Sequence, residues 1–236
     1  MSDMESNRKE TQRILDTYQK RIDNKLFDKY SLFYPGELYM LQHREEDILS
    51  MLRSAGCTDL SESRILEVGC GRGIRLADWL RWGAQQANLT GLDLMPAFID
   101  AAKAYLPAAE LIVGGGDAIP YPDNSFDIVV QQTVFTSIND SGLRQAIANE
   151  MMRTLKPGGL ILWYDFRYPN PKNKDVWPVG KKEIKLLFDG CNCRVKSVTL
   201  APPLTRRAAK LSFTLCRLLE RVPLLRTHYL ALIRKP

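Results

Sequence analysis

The stretch Glu67-Val-Gly69-Cys70-Gly71-Arg-Gly73 has residue types and a spacing that can do chemistry. It follows a short apolar run, Arg64–Gly69, and leads into a segment with helical character. Glycines here allow positive φ and leave no side chain in the way, so a ligand can lie directly against the backbone. A dinucleotide fingerprint, G-x-G-x-x-G, would place its third glycine one residue later and set a pyrophosphate on the following helix. Glu67 would oppose such an anion, yet it suits a ligand that carries an ammonium group. No G-x-x-x-x-G-K-[ST] phosphate loop is present.

Further carboxylates stand at the ends of later apolar runs. Asp93 closes Leu89–Leu94, and Asp117 sits in Gly116-Asp117-Ala118. Pro122-Asp-Asn-Ser-Phe-Asp127 then opens a long apolar run, and Leu155-Lys-Pro-Gly-Gly159 precedes another. Taken in this order, the segments resemble those of the class I S-adenosylmethionine-dependent methyltransferases, in the small-molecule branch known as methyltransferase type 11. The resemblance covers residues 60–166 well and the rest loosely. It implies a doubly wound, mostly parallel seven-stranded α/β sheet of Rossmann-like type, with S-adenosyl-L-methionine as cofactor. It assigns the backbone of Gly69, Cys70, Gly71 and Gly73 to the methionine moiety, with Glu67 organising the turn. Asp93 would take the ribose hydroxyls, two acceptor oxygens meeting two neighbouring hydroxyls. Leu94 and Met95 would border the adenine, and Asp117 with Ala118 would meet its edge. Gln131 and Gln132 would face the sulfonium, and Arg44 would reach the cofactor carboxylate. Each residue also has a plainer reading: Asp93 as a helix cap, Asp117 as a turn closer, Met95 as core filler, Arg44 as a solvated arginine.

The elements that must position these groups are legible in outline. Residues 1–30 read as a charged helical arm and Pro35–Ala55 as a second helix, together a cap over 1–58; residues 59–236 form the binding domain. From Arg64 onward, strands and helices alternate: a helix from the glycine turn through Leu80, a strand Leu89–Leu94, a helix Pro96–Leu106, a strand Glu110–Val113. A long strand Phe126–Phe135, a helix Asp140–Leu155, a turn over Lys156–Gly159 and a strand Leu160–Phe166 follow. Near-continuous apolar strands between helices argue for a parallel sheet covered on both faces. Beyond them come a helix Lys181–Phe188 and strands Cys193–Leu200 and His228–Ile233. Leu204, Ala208, Leu211, Leu215, Leu218 and Val222 recur every three or four residues, which predicts one basic amphipathic helix over about 203–222.

At 236 residues, with 45% apolar and 25% charged residues, the chain suits one sizeable α/β domain. No apolar stretch is long enough for a membrane span or a secretory signal, so a cytoplasmic location is expected. Five irregularly spaced cysteines argue against a disulfide framework or a metal site. The net charge of +6 suits an anionic partner, and the excess lies largely in the last third. That excess opens peripheral contact with an acidic inner-membrane surface through 203–222, while a lid or a homodimer contact are alternatives for the same segment. The implied reaction is methyl transfer to oxygen or nitrogen of a small-molecule, sugar or lipid-linked acceptor. His43 and Asp165 are the candidate bases, and Tyr30, Tyr34, Phe135, Arg167 and Tyr168 the candidate pocket wall. A DNA partner is not expected, since Gln131-Gln-Thr-Val134 stands where an Asn-Pro-Pro-Tyr motif would. An RNA methyltransferase, a nicotinamide-dependent oxidoreductase and a non-catalytic cofactor-binding module remain as alternatives.

Overall fold

The computed structural model describes residues 3–24, 31–170 and 173–236. Seven apolar runs become strands: β1 Ile65–Val68, β2 Leu89–Asp93, β3 Glu110–Val113, β4 Phe126–Gln132, β5 Leu155–Phe166, β6 Asn192–Leu200 and β7 Arg226–Arg234. They form one sheet in the order β3-β2-β1-β4-β5-β7-β6. The first five are parallel, and β7 runs antiparallel to both β5 and β6. β1, flanked by β2 and β4, is buried along its whole length, as expected of a central parallel strand with both faces covered. The strand order reverses between β1 and β4. In open α/β sheets, the crevice outside the carboxyl ends at such a switch point is where ligands bind.

Side chains alternate across the sheet and feed two cores. One face carries Leu66, Val68, Val129, Ile161 and Trp163, covered by α5 (Ser141–Thr154) and α6 (Lys181–Leu187). The other carries Ile65, Ile128, Val130, Leu162 and Tyr164. It is covered by Ile48 and Leu52 of α2 (Pro35–Ser54), by Trp79 of α3 (Asp78–Arg81) and by Ile99 and Ala102 of α4 (Pro96–Tyr105). α1 (Asp3–Asp23) lies against loops that follow β2, β4 and β5. Ser6 donates to Asp140 at 2.8 Å, Arg13 to the Ser137 carbonyl at 2.6 Å, and the Tyr18 ring meets Phe98 edge-on at 6.1 Å. It therefore packs against segments that follow the carboxyl ends of β2 and β4.

Four elements differ from the sequence expectation. The glycine turn does not run into a long helix; residues 71–77 form successive tight turns, and only Asp78–Arg81 is α-helical. β4 stops at Gln132, because Thr133 adopts φ 62° and turns the chain into a short 3₁₀ segment, Phe135–Ser137. The Lys156–Gly159 turn is a bulge inside β5: Phe126 pairs with Leu155, but Ile128 pairs with Leu160. The single helix expected over 203–222 is two, α7 (Pro202–Ala208) and α8 (Phe213–Glu220), with Ser212 capping α8 by accepting the Thr214 N–H at 3.1 Å. Leu204, Ala208, Leu215 and Leu219 pack against Tyr39 and Leu200.

Candidate functional site

The glycine turn is held open by its own backbone and by Asp93. Gly69, Gly71 and Gly73 all take positive φ, at 72°, 54° and 76°. Any side chain at Gly69 would collide with Val134, and one at Gly73 would press on Ala102 and Leu106, so those two glycines serve packing. At Gly71 nothing lies within 4 Å of where a Cβ would stand. That position faces open space. The Gly71 N–H donates to Asp93 Oδ2 at 2.8 Å, and the Met95 N–H donates to Oδ1 at 2.9 Å. One carboxylate thus joins the first turn to the start of α4. Each oxygen keeps a further lone pair for a ligand hydroxyl. Burial pushes the Asp93 carboxyl above its ordinary range, and the two N–H donors oppose that rise.

Glu67 lies beneath the turn on the α2 face. It is 1% exposed, and its Oε1 accepts from Gln132 Nε2 at 3.2 Å. Its Oε2 and the Gln132 Oε1 are buried without any partner. Burial raises the Glu67 pKa from 4.5 to about 8, with Arg75 and Arg44 pulling the other way. Buried polar atoms without partners are costly unless a further group completes them. Arg44 supplies a cation on the same face, its guanidinium 5.5 Å from the centre of the Tyr164 ring. Burial, and after it the neighbouring Arg75, lower its pKa. Among the described residues no carboxylate forms a salt bridge with it.

Gln131 and Gln132 do not act together. Successive strand residues project to opposite faces. Gln132 meets Glu67, whereas Gln131 is fully buried and accepts the Val134 N–H at 3.1 Å, fixing the bend after β4. The remaining cofactor candidates border the crevice. Asp117 is half-buried and, among the described residues, accepts no hydrogen bond; Ala118 beside it is exposed. Leu94 is partly buried and Met95 is 6% exposed at the start of α4. Cys70 backs onto Gly91, where any side chain would strike its sulfur; burial pushes its thiol up, so only its backbone is offered to a ligand.

The catalytic and pocket candidates are scattered. His43 does not face the crevice: it stacks on Tyr39 at 4.6 Å, with Nδ1 3.2 Å from Glu220 and Nε2 accepting from Arg217 at 3.3 Å. The helical step of 100° that turns Arg44 inward turns His43 towards α8. Asp165 is 1% exposed and accepts from the Thr136 hydroxyl at 2.6 Å, the Thr136 N–H at 3.2 Å and the Phe166 N–H at 2.8 Å. Burial raises its pKa to about 6. It anchors the bend after β4 and does not hold Arg167. Phe135 is core: it is fully buried against Trp163 at 4.3 Å. Tyr34 is exposed before α2, and Tyr30 lies outside the described residues. Arg167 and Tyr168 do pair at the end of β5, Nη2 donating to the phenol oxygen at 2.6 Å.

Sequence reading missed His228 and Tyr164. Their rings stack at 4.6 Å and 11° at the β5–β7 edge, on the same face as Glu67 and Arg44. Thr227 meets His228 Nδ1 at 3.1 Å, and Thr199 meets the Tyr164 hydroxyl at 2.8 Å. Burial, with Arg44 nearby, lowers the His228 pKa to about 3, so this imidazole is neutral. Only the antiparallel return of β7 brings the pair together.

Residues 66–163 match the family described as "Methyltransferase domain". That matched stretch takes in the glycine turn, Asp93 and β4. It is 34% identical over 149 residues to a phthiotriol/phenolphthiotriol dimycocerosates methyltransferase of Mycobacterium leprae, covering 62% of this chain and 50% of that protein. It is 31% identical over 119 residues to a malonyl-[acyl-carrier protein] O-methyltransferase of Serratia marcescens, covering 50% and 44%. The chain thus spans about half the length of these curated relatives. Among solved structures, geranyl diphosphate C-methyltransferase from Streptomyces coelicolor, in complex with Mg2+, geranyl diphosphate and S-adenosyl-L-homocysteine, superposes with a TM-score of 0.59 at 14% identity, over 80% of this chain and 76% of that one. At that identity the likeness is one of fold, and the site residues rest on the geometry above.

Proposed function

We propose that this chain is an S-adenosylmethionine-dependent methyltransferase whose acceptor is a small-molecule, sugar or lipid-linked oxygen or nitrogen nucleophile. The observation that carries the reading is the pairing of an open glycine position at Gly71, tied to Asp93, with the orphaned carboxylate oxygen of Glu67 below it. The donor set fits the cofactor: two lone pairs on Asp93 for ribose hydroxyls and an unpartnered carboxylate oxygen for an ammonium. Arg44, expected at the cofactor carboxylate, lies over the Tyr164 ring and is assigned to the acceptor side instead. When bound, S-adenosylmethionine supplies an electrophilic methyl group on a sulfonium, so no covalent enzyme intermediate is required.

The protein's own work is then alignment and exclusion of water. The Gly69–Gly73 backbone and Asp93 fix one end of the crevice, α1 covers it, and Gln132 with Glu67 marks the side facing β4. Tyr164, His228 and Arg44 form the wall we assign to the acceptor. A histidine with a pKa of about 3 is too weak a base to deprotonate an alcohol. It serves instead as a hydrogen-bonding and stacking group that positions an acceptor. The relatives named for dimycocerosate and acyl-carrier-protein acceptors support an acceptor with a long apolar part. Contact with a membrane surface through 203–222 fits such an acceptor.

The test is calorimetric titration with S-adenosylhomocysteine and with NAD(H), followed by transfer of labelled methyl from S-adenosylmethionine across phenol, sugar, amine and lipid-glycan pools. Affinity for the nucleoside with transfer to one pool supports the reading. Affinity for NAD(H) in its place overturns it.

A further inference from the structure

We infer that α7, α8 and the turn after them form a docking surface for an anionic lipid bilayer. The apolar residues of this segment divide. Leu204, Leu215, Cys216 and Leu219 pack inward on Tyr39 and Leu200, which is all that covering the sheet requires. Leu211, Leu218, Val222 and Leu224 point outward, at 80%, 52%, 45% and 76% exposed. Four large aliphatic groups in fourteen residues is more than scattered surface leucine, and such a patch marks an interaction site.

Charge selects the occupant. Arg207, Lys210 and Arg221 are interleaved with those leucines; all three are exposed and, among the described residues, make no salt bridge. By contrast, Arg206 is held by Glu37 at 2.8 Å and Arg217 lies against Glu46 and His43. Aliphatic side chains fringed by free cations match the boundary between acyl chains and anionic headgroups. A second copy of the chain would bring the same three cations against themselves across a two-fold contact, so repulsion disfavours a homodimer here.

The surface also borders the acceptor side of the crevice. Arg167, at the carboxyl end of β5, donates to the Pro223 carbonyl at 3.3 Å, beside Leu224. Arg206 of α7 meets the first turn of α2, just after Leu32, Phe33 and Tyr34, themselves exposed. The orientation towards an acceptor rests on the methyltransferase reading; the docking itself does not.

The experiment is co-sedimentation of the full chain with vesicles of pure phosphatidylcholine or with added phosphatidylglycerol. Binding is expected only with the anionic lipid, weakening as salt rises. A variant carrying R207Q, K210Q and R221Q is expected to lose about two decades of partitioning, at about fivefold per cation. A second variant carrying L211S, L218S and L224S is expected to lose binding while keeping its circular dichroism spectrum. Protein that stays in the supernatant with anionic vesicles overturns the proposal. So do variants that sediment like the parent, or a concentration-dependent dimer abolished by the leucine changes. Titration of the same samples with S-adenosylhomocysteine separates the two readings: nucleoside affinity without vesicle binding sinks the docking alone, and the converse sinks the methyltransferase reading alone.

Discussion

Cofactor affinity should depend on pH through Glu67, and the size of the effect follows from its surroundings. The side chain is buried, has one unpartnered oxygen, and has a pKa of about 8 in the free protein. A ligand ammonium beside it needs the carboxylate. Below pH 8 a proton must therefore leave before the ion pair can form. Each pH unit below that point costs about tenfold in affinity, or ~1.4 kcal/mol, until the pKa of the bound state is reached. At pH 6 the loss is about fiftyfold relative to pH 8, where the group is already half protonated. Calorimetry with S-adenosylhomocysteine in buffers of different ionisation enthalpy should show close to one proton released per binding event near pH 7. The E67Q variant should bind weakly with no such slope. Its apo form should gain stability at pH 8. The parent's raised carboxyl pKa favours the folded state only while protonated, so its contribution is intact below the ordinary 4.5 and is lost as pH rises towards 8. Affinity that is flat from pH 6 to 8 without proton release, or an equal slope in E67Q, would refute the argument.

Other substitutions separate packing from binding. G71A should fold with a penalty of about 1 kcal/mol for its positive φ yet lose nucleoside affinity, whereas G69A should lower the melting temperature sharply through its clash with Val134; thermal melts and titration read the two apart. D93A removes both acceptors for the Gly71 and Met95 N–H groups and should cost at least a hundredfold in affinity, at ~1.5–3 kcal/mol per charged hydrogen bond. D165N should lower the melting temperature by loosening Thr136 while changing methyl-transfer rate less than tenfold, which a labelled-methyl assay will show. Deleting residues 1–24 should accelerate nucleoside dissociation in stopped-flow measurements, since α1 spans the loops after β2 and β4.

Sequence spacing was enough to group the residues proposed for the cofactor because that group is local. Glu67 to Gly73 is one continuous turn, and Asp93 sits at the end of the neighbouring strand, which is paired to β1 in parallel register. Each strand end could be read from an apolar run meeting a polar residue. Gln131 and Gln132 were read as a pair because composition marks the end of a strand but not which face each residue takes. The break between α7 and α8 was hidden for a different reason. Ala209-Lys210-Leu211 contains no glycine or proline, and the apolar period continues through it. Only the Ser212 cap signals a restart, and serine is too common to be decisive. The acceptor half could not be read at all: Tyr164 and His228 are 64 positions apart and meet through an antiparallel strand that no local pattern announces.

That division between local and non-local halves also says how the two ligands can be handled separately. The crevice proposed for the nucleoside is built from the first three strands, and α1 makes contacts beyond them on Ser137, Asp140 and Phe98. The wall proposed for the acceptor is built from β5 and β7 and is covered by α2, which contributes Arg44. α2 in turn is held by α7 and α8 through Glu37–Arg206 and Tyr39–Glu220. A force on the basic leucine-rich surface therefore reaches the acceptor wall through two side-chain pairs on one helix, while the nucleoside side is tied down by a different one. If vesicles engage α7 and α8, the first parameter to move should be the KM for the acceptor, with nucleoside affinity unchanged. Breaking the Glu37–Arg206 pair with E37Q should reduce that difference, leaving Tyr39–Glu220 as the remaining link. A vesicle effect on nucleoside affinity of the same size would contradict the separation.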